Sequence, residues 1–71
     1  MSSESERLIN LIYALLFSEE DRLLQQIENM HYLLKYNVND SYYIAKYLYA
    51  VQTYEQFKTL RGKICDILKR F

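Results

Sequence analysis

Leu15-Leu16-Phe17-Ser18-Glu19-Glu20-Asp21-Arg22-Leu23 decides whether this chain folds as two helices or three. Ser18 has a short side-chain oxygen that can accept a hydrogen bond from the free amides of a new helix. The three acids that follow suit the positive end of that helix's dipole. Read so, one helix ends near Phe17 and another begins at Glu19. Against this, Ile9, Ile12, Leu16, Leu23, Ile27, Met30 and Leu34 all stay within one broad face if the helix never breaks. The chain would then be a two-helix hairpin. The capping signal favours the break. The expected fold is therefore all-α, a small bundle of three helices: a short helix over about 6–17, a second over about 19–36, and a long third.

Upstream, Ser3 and Glu6 have capping-box spacing. Leu8, Leu11, Ile12 and Leu15 follow helical spacing, and Ile9, Tyr13, Leu16 and Phe17 fill much of the remaining circumference. A helix apolar nearly all round needs burial on more than one side. Downstream, Asn37-Val38-Asn39-Asp40 is the clearest loop, 37–40. Asn and Asp tolerate left-handed backbone and compete with helix through their short side chains. Asp40 or Ser41 would cap a third helix over about 41–70. With no proline and only Gly62, little opposes long helices, though the third can fray or kink near Gly62.

That third helix separates two apolar sides in its first half. One holds Ile44, Leu48 and Val51; the other holds Tyr43, Tyr47, Ala50 and Tyr54. Only the second continues, through Phe57, Leu60, Ile64, Ile67, Leu68 and Phe71. Phe57, Leu60, Ile64, Ile67 and Phe71 alternate spacings of three and four, like a short coiled-coil seam. Two sides need two partners. The chain's own helices supply one, and a second copy or another protein supplies the other. The expected dimer seam is Tyr43, Tyr47, Tyr54, Phe57, Leu60 and Ile64, with the alternative that this side is the intramolecular one.

The bulk numbers point the same way. Residues 1–71 make one domain, and a chain this short buries only roughly 60% of the surface its unfolded form exposes. Small domains lean on disulfides, a metal or a partner. Cys65 is the only cysteine and His31 the only histidine, so association or very good packing must serve. A lone thiol suits a reducing compartment, and the expected location is the cytoplasm. Ser2 to Glu6 is acidic rather than basic, unlike a signal peptide, and Leu8 to Phe17 is too short to span a bilayer. No membrane partner is expected.

Net charge is zero but uneven. Met1–Glu28 carries six acids against two bases, and Asn29–Phe71 carries seven bases against three acids. The halves can attract each other, within one chain or between two.

Little in the chain resembles catalytic chemistry, so no enzymatic activity, cofactor or metal is expected. Cys65 and His31 are the only nucleophile and base to consider, and both read as packing residues. Glu19, Glu20 and Asp21 form the only carboxylate cluster, already explained by a helix start. One glycine excludes glycine-rich phosphate loops.

Lys58, Arg61, Lys63, Lys69 and Arg70 make the C-terminal segment basic among aromatics, which suits phosphate contact. They also suit a helix C-terminus or the acidic segment upstream. Ile44-Ala45-Lys46-Tyr47-Leu48 resembles the first helix of a helix-turn-helix DNA reader, although Tyr49 stands near the place of the usual turn glycine. Tyrosine is the oddest feature: six of eight fall between Tyr36 and Tyr54, and tyrosine suits surfaces half-buried on binding. The expected function is a small helical interaction protein that self-associates as a homodimer and regulates another protein by binding it. The alternative is a dimeric nucleic-acid-binding regulator using the basic C-terminal helix.

Overall fold

The computed structural model describes residues 3–70, and these form two helices. Helix α1 spans Ser3–Tyr36 and α2 spans Ser41–Leu68. His31 lies against Tyr47, Glu20 reaches Tyr54 and Arg61, and Leu8, Ile9 and Ile12 lie beside Leu68. The helices are thus antiparallel, and the molecule is a hairpin of 55 × 16 × 11 Å. At 1.5 Å per residue, α1 alone accounts for about 51 Å of that length.

The expected break at Ser18 does not occur. α1 runs straight through Ser18-Glu19-Glu20-Asp21, so the separate helices over 6–17 and 19–36 are one. A serine in a helix interior costs only a fraction of a kcal/mol. Interrupting the helix there would take Leu16 and Leu23 out of a common face. The acids find partners without a helix end: Glu19 accepts from Arg22 one turn on, and Glu20 accepts from α2. The first helix also starts earlier than Glu6 suggested, since Ser3 is already helical.

The turn forms where Asn and Asp cluster, but not for the reason of left-handed backbone. No non-glycine residue among those described has positive φ. Instead, Asn37 donates its side-chain amide to the Leu33 carbonyl (2.7 Å) and its backbone amide to Leu34 (3.1 Å). Two carbonyls left free at the end of α1 are thereby satisfied. Asp40 then caps α2 from extended backbone (φ −89°, ψ 110°), its carboxylate accepting from the Tyr42 amide at 2.9 Å.

α2 neither frays nor stops at Gly62, which lies in open space along a helix continuing to Leu68. It closes two residues short of the expected end, with the Lys69 amide returning to Cys65. Nor does it break at Tyr49, so the segment resembling a helix-turn-helix reader is not followed by a turn and a second helix.

Between the helices, Ser5, Ile9, Ile12, Leu16, Glu20, Leu23, Ile27, Met30 and Leu34 face α2. Tyr43, Tyr47, Ala50, Tyr54, Phe57, Arg61, Ile64 and Leu68 face α1, and all of these are at least half-buried. The α2 series alternates steps of four and three throughout, the spacing of helices packed side by side. The α1 series inserts one extra step of four at Leu16 to Glu20, which keeps its stripe nearly straight. Leu23 is 2% exposed and Ala50 8%, and they are the only buried side chains among the described residues. Two helices make one seam and no enclosed core.

Candidate functional site

Glu20 forms the polar centre of the seam. One of its carboxylate oxygens accepts from the Tyr54 hydroxyl at 3.0 Å and from the Arg61 guanidinium. The Glu20 side chain is 19% exposed and that of Arg61 31%. Lys58 lies 5.0 Å over the Tyr54 ring and pairs with Glu55 at 3.2 Å. The Arg61 hydrogen bond, then that of Tyr54, holds the Glu20 carboxyl below its ordinary value, against a smaller opposing effect of desolvation. The same bond to Glu20, reinforced by burial, raises the Tyr54 phenol. Chemically this is a structural clasp. Both bonds fall on the same oxygen, Oε2, so one atom of the carboxylate ties Tyr54 and Arg61 of α2 to α1.

The other candidates for chemistry are dispersed. His31 is exposed, its ring centroid 6.1 Å from that of Tyr47. Cys65 is half-buried toward the opposite end of the hairpin. In this register they are separated by about eighteen residues of helix, or roughly 27 Å. Glu19 is committed to Arg22, which holds its carboxyl below the ordinary value, and Asp21 points to solvent. Glu28 and His31 have the Glu-x-x-His spacing of di-metal bundle sites, against the expectation that no such spacing exists in the chain. Both are exposed, and no three His, Cys, Asp or Glu side chains among the described residues converge on a metal position.

The basic residues do not form one surface. Arg61 is taken by Glu20 and Lys58 by Glu55. At about 100° per residue, Lys63 and Arg70 fall on one side of α2 and Lys58 and Lys69 on another. The tyrosines divide as well. Tyr43, Tyr47 and Tyr54 belong to the seam with α1, together with Phe57 and Ile64, and Leu60 alone of the six expected interface residues stands clear of it. Tyr42 and Tyr49 are exposed. Tyr49 lines a shallow groove of about 550 Å³ with Arg22, Gln26, Asn29, Lys46 and Thr53.

What the hairpin presents instead is apolar surface. Fourteen large apolar or aromatic side chains among the described residues are more than a third exposed. Most of those on the helices fall on two faces flanking the seam, while Val38 lies in the turn. On the face carrying the Tyr49 groove, Leu8, Leu11 and Leu15 of α1 stand beside Leu60 and Ile67 of α2 near the open end, each 51–61% exposed. On the opposite face, Phe17 and Leu24 of α1 accompany Ile44 and Leu48 of α2. No family model matches this chain, and neither a curated protein nor a solved structure matches it. No helix among the described residues is long and apolar enough to cross a membrane.

Proposed function

We propose that this chain is a non-enzymatic interaction module: a helical hairpin that pairs with a second copy and regulates another protein by occupying its surface. One observation carries the reading. Among the described residues only Leu23 and Ala50 are buried, while fourteen large apolar or aromatic side chains stand in solvent. Patches of this kind on a small protein mark association sites. The radius of gyration supports it, at 16.5 Å against about 11 Å for a compact chain of this length. A lone half-buried thiol is compatible with the reducing cytoplasm as the place of work.

Two apolar faces allow two contacts, one homotypic and one with the regulated protein. Self-association is tested by light scattering on a sizing column over a hundredfold range of concentration. A mass of twice the 8.7 kDa chain supports the reading. A well-folded monomer at every concentration removes the homodimer from it.

A further inference from the structure

We infer that the second copy seats on the face formed by Leu8, Leu11, Leu15, Leu60 and Ile67, with the two-fold axis along the helices, so that each α1 lies over the partner copy's α2. This deepens the proposed self-association and rests on it.

The area calls for such an occupant. The chain exposes 5774 Å². A folded monomer of its mass exposes about 4,700 Å². The surplus of roughly 1,000 Å² per chain compares with the ~800 Å² per partner that a stable interface buries. A two-layer hairpin cannot remove that surplus by itself, whereas laying two hairpins face to face closes a four-helix bundle.

The choice of face follows from where the apolar groups are continuous. Leu8, Leu11 and Leu15 are spaced three and four, and Leu60 and Ile67 are one heptad apart with Lys63 between them, so α1 brings a leucine stripe and α2 two apolar side chains to the same side. A cleft lined by Leu8, Ile9, Ile12 and Leu68 joins the stripes to the seam. Glu4, one turn before Leu8, and Lys63, between Leu60 and Ile67, border the patch, and Arg22 and Lys46 line the groove beyond it, which gives the patch a charged rim. On the opposite face Phe17, Leu24, Ile44 and Leu48 are strung out along the hairpin, with the charged Glu20, Glu55 and Lys58 cluster between them.

The pairing mode follows from charge. α1 carries six acids against three bases, and α2 four bases against two acids. A two-fold axis across the helices would stack α1 on α1. An axis along them stacks acidic α1 on basic α2 and keeps the open ends together. In the hairpin's register Leu11 lies level with Ile67, and Leu15 lies within a turn of the level of Leu60. The apolar stripes of the two copies then meet layer on layer.

The test uses the full chain. Leu15→Asp should raise the dimer dissociation constant roughly 100-fold or more, as charging the centre of an interface does. Its helicity by circular dichroism, taken at a concentration where both forms are assayed, separates dissociation from unfolding. Leu48→Asp, on the opposite face, should leave the dimer intact. Orientation is read in a Cys65→Ser background by mixing a Leu11→Cys chain with an Ile67→Cys chain under oxidation. The mixed disulfide should dominate, and Leu11→Cys alone should cross-link poorly. A dimer that survives Leu15→Asp but not Leu48→Asp overturns the choice of face while self-association stands. Efficient Leu11→Cys self-cross-linking overturns the axis. A wild-type monomer throughout overturns both this inference and the self-association beneath it.

Discussion

Replacing Glu19 by proline distinguishes a continuous α1 from a helix that restarts after Ser18. If Ser18 were an N-cap, Glu19 would be the first helical residue, the position where proline is best tolerated because its amide is unused. In the structure Glu19 lies in the interior of a 34-residue helix. Proline there removes one backbone hydrogen bond, and its ring collides with the carbonyl of Leu15, at a cost of about 3 kcal/mol or more. Loss of the exposed pair with Arg22 adds little. A domain of this length has roughly 4–11 kcal/mol of stability in all. Each kcal/mol moves the midpoint by about 4–8 °C, so the melting temperature should fall by about 12–24 °C.

An internal control exists at Ser41. It is the first residue of α2, and Asp40 before it already has the extended backbone that a following proline demands. Ser41→Pro should therefore be neutral or stabilising by up to about 1 kcal/mol. Both variants are compared with wild type by far-ultraviolet circular dichroism melts at one fixed concentration, since association makes the midpoint concentration-dependent. If Glu19→Pro melts within about 3 °C of wild type, a change of no more than ~0.5–1 kcal/mol, α1 is not continuous and the hairpin argument fails.

Three further outcomes follow from the same packing. Leu23→Ala, at the most buried position, should cost about 2–3 kcal/mol, the lower part of the usual range because a two-layer seam lets neighbours relax; urea titration should show a lower midpoint at unchanged slope, and no loss would mean the helices do not close on Leu23. Gly62→Ala meets nothing within 4 Å and should stabilise by roughly 0.5–1 kcal/mol, and a destabilised variant would place a neighbour against Gly62. Because the folded Glu20 carboxyl titrates below its ordinary value of 4.5, its contribution is present above that pH and fades as pH falls through the folded value; Tyr54, raised above 10.0, loses its contribution as pH climbs past that range. Glu20→Gln should flatten the acid limb of a stability–pH profile, and an unchanged limb would show that the clasp is not what titrates.

The helical class, the turn at 37–40 and the Asp40 cap were legible because each rests on local chemistry: absent proline, clustered Asn and Asp, and a short acid before a periodic run. The continuity of α1 was legible only in part. Ile9 through Leu34 kept one face across Ser18, but Ser-Glu-Glu-Asp carries the same local signature whether a helix starts there or passes through. Tertiary partners decide between these, and Arg61, which supplies one of them to Glu20, lies forty-one residues away. The two apolar sides of α2 were also legible, and their assignment was not. Leu60 read as part of the Tyr43–Ile64 seam by its spacing from Phe57 and Ile64, yet Arg61 takes the inward position beside it. An arginine among aromatics in sequence does not reveal that a glutamate on the facing helix holds it.

That substitution of charge for hydrocarbon has a structural consequence. Along α2 the inward series reads Tyr43, Tyr47, Ala50, Tyr54, Phe57, Arg61, Ile64 and Leu68, so Arg61 stands where an apolar side chain would pack. Along α1, Glu20 interrupts the apolar series between Leu16 and Leu23 in the same way. Apolar seams of regular spacing tolerate small slips, and here the short 37–40 turn already limits how far one helix can move along the other. A single charged position on each helix opposes the slips that remain: a slip in either direction presses Glu20 and Arg61 separately against apolar neighbours and strips both of their partner. The tyrosine hydroxyl at 3.0 Å occupies a further acceptor direction of the same carboxylate, so only one alignment satisfies all three groups. Register in turn determines which exposed side chains lie level with one another. The turn and the clasp act on the same register, which sets Leu11 level with Ile67 and Leu15 near the level of Leu60, so the contact inside the hairpin supports the apolar face outside it.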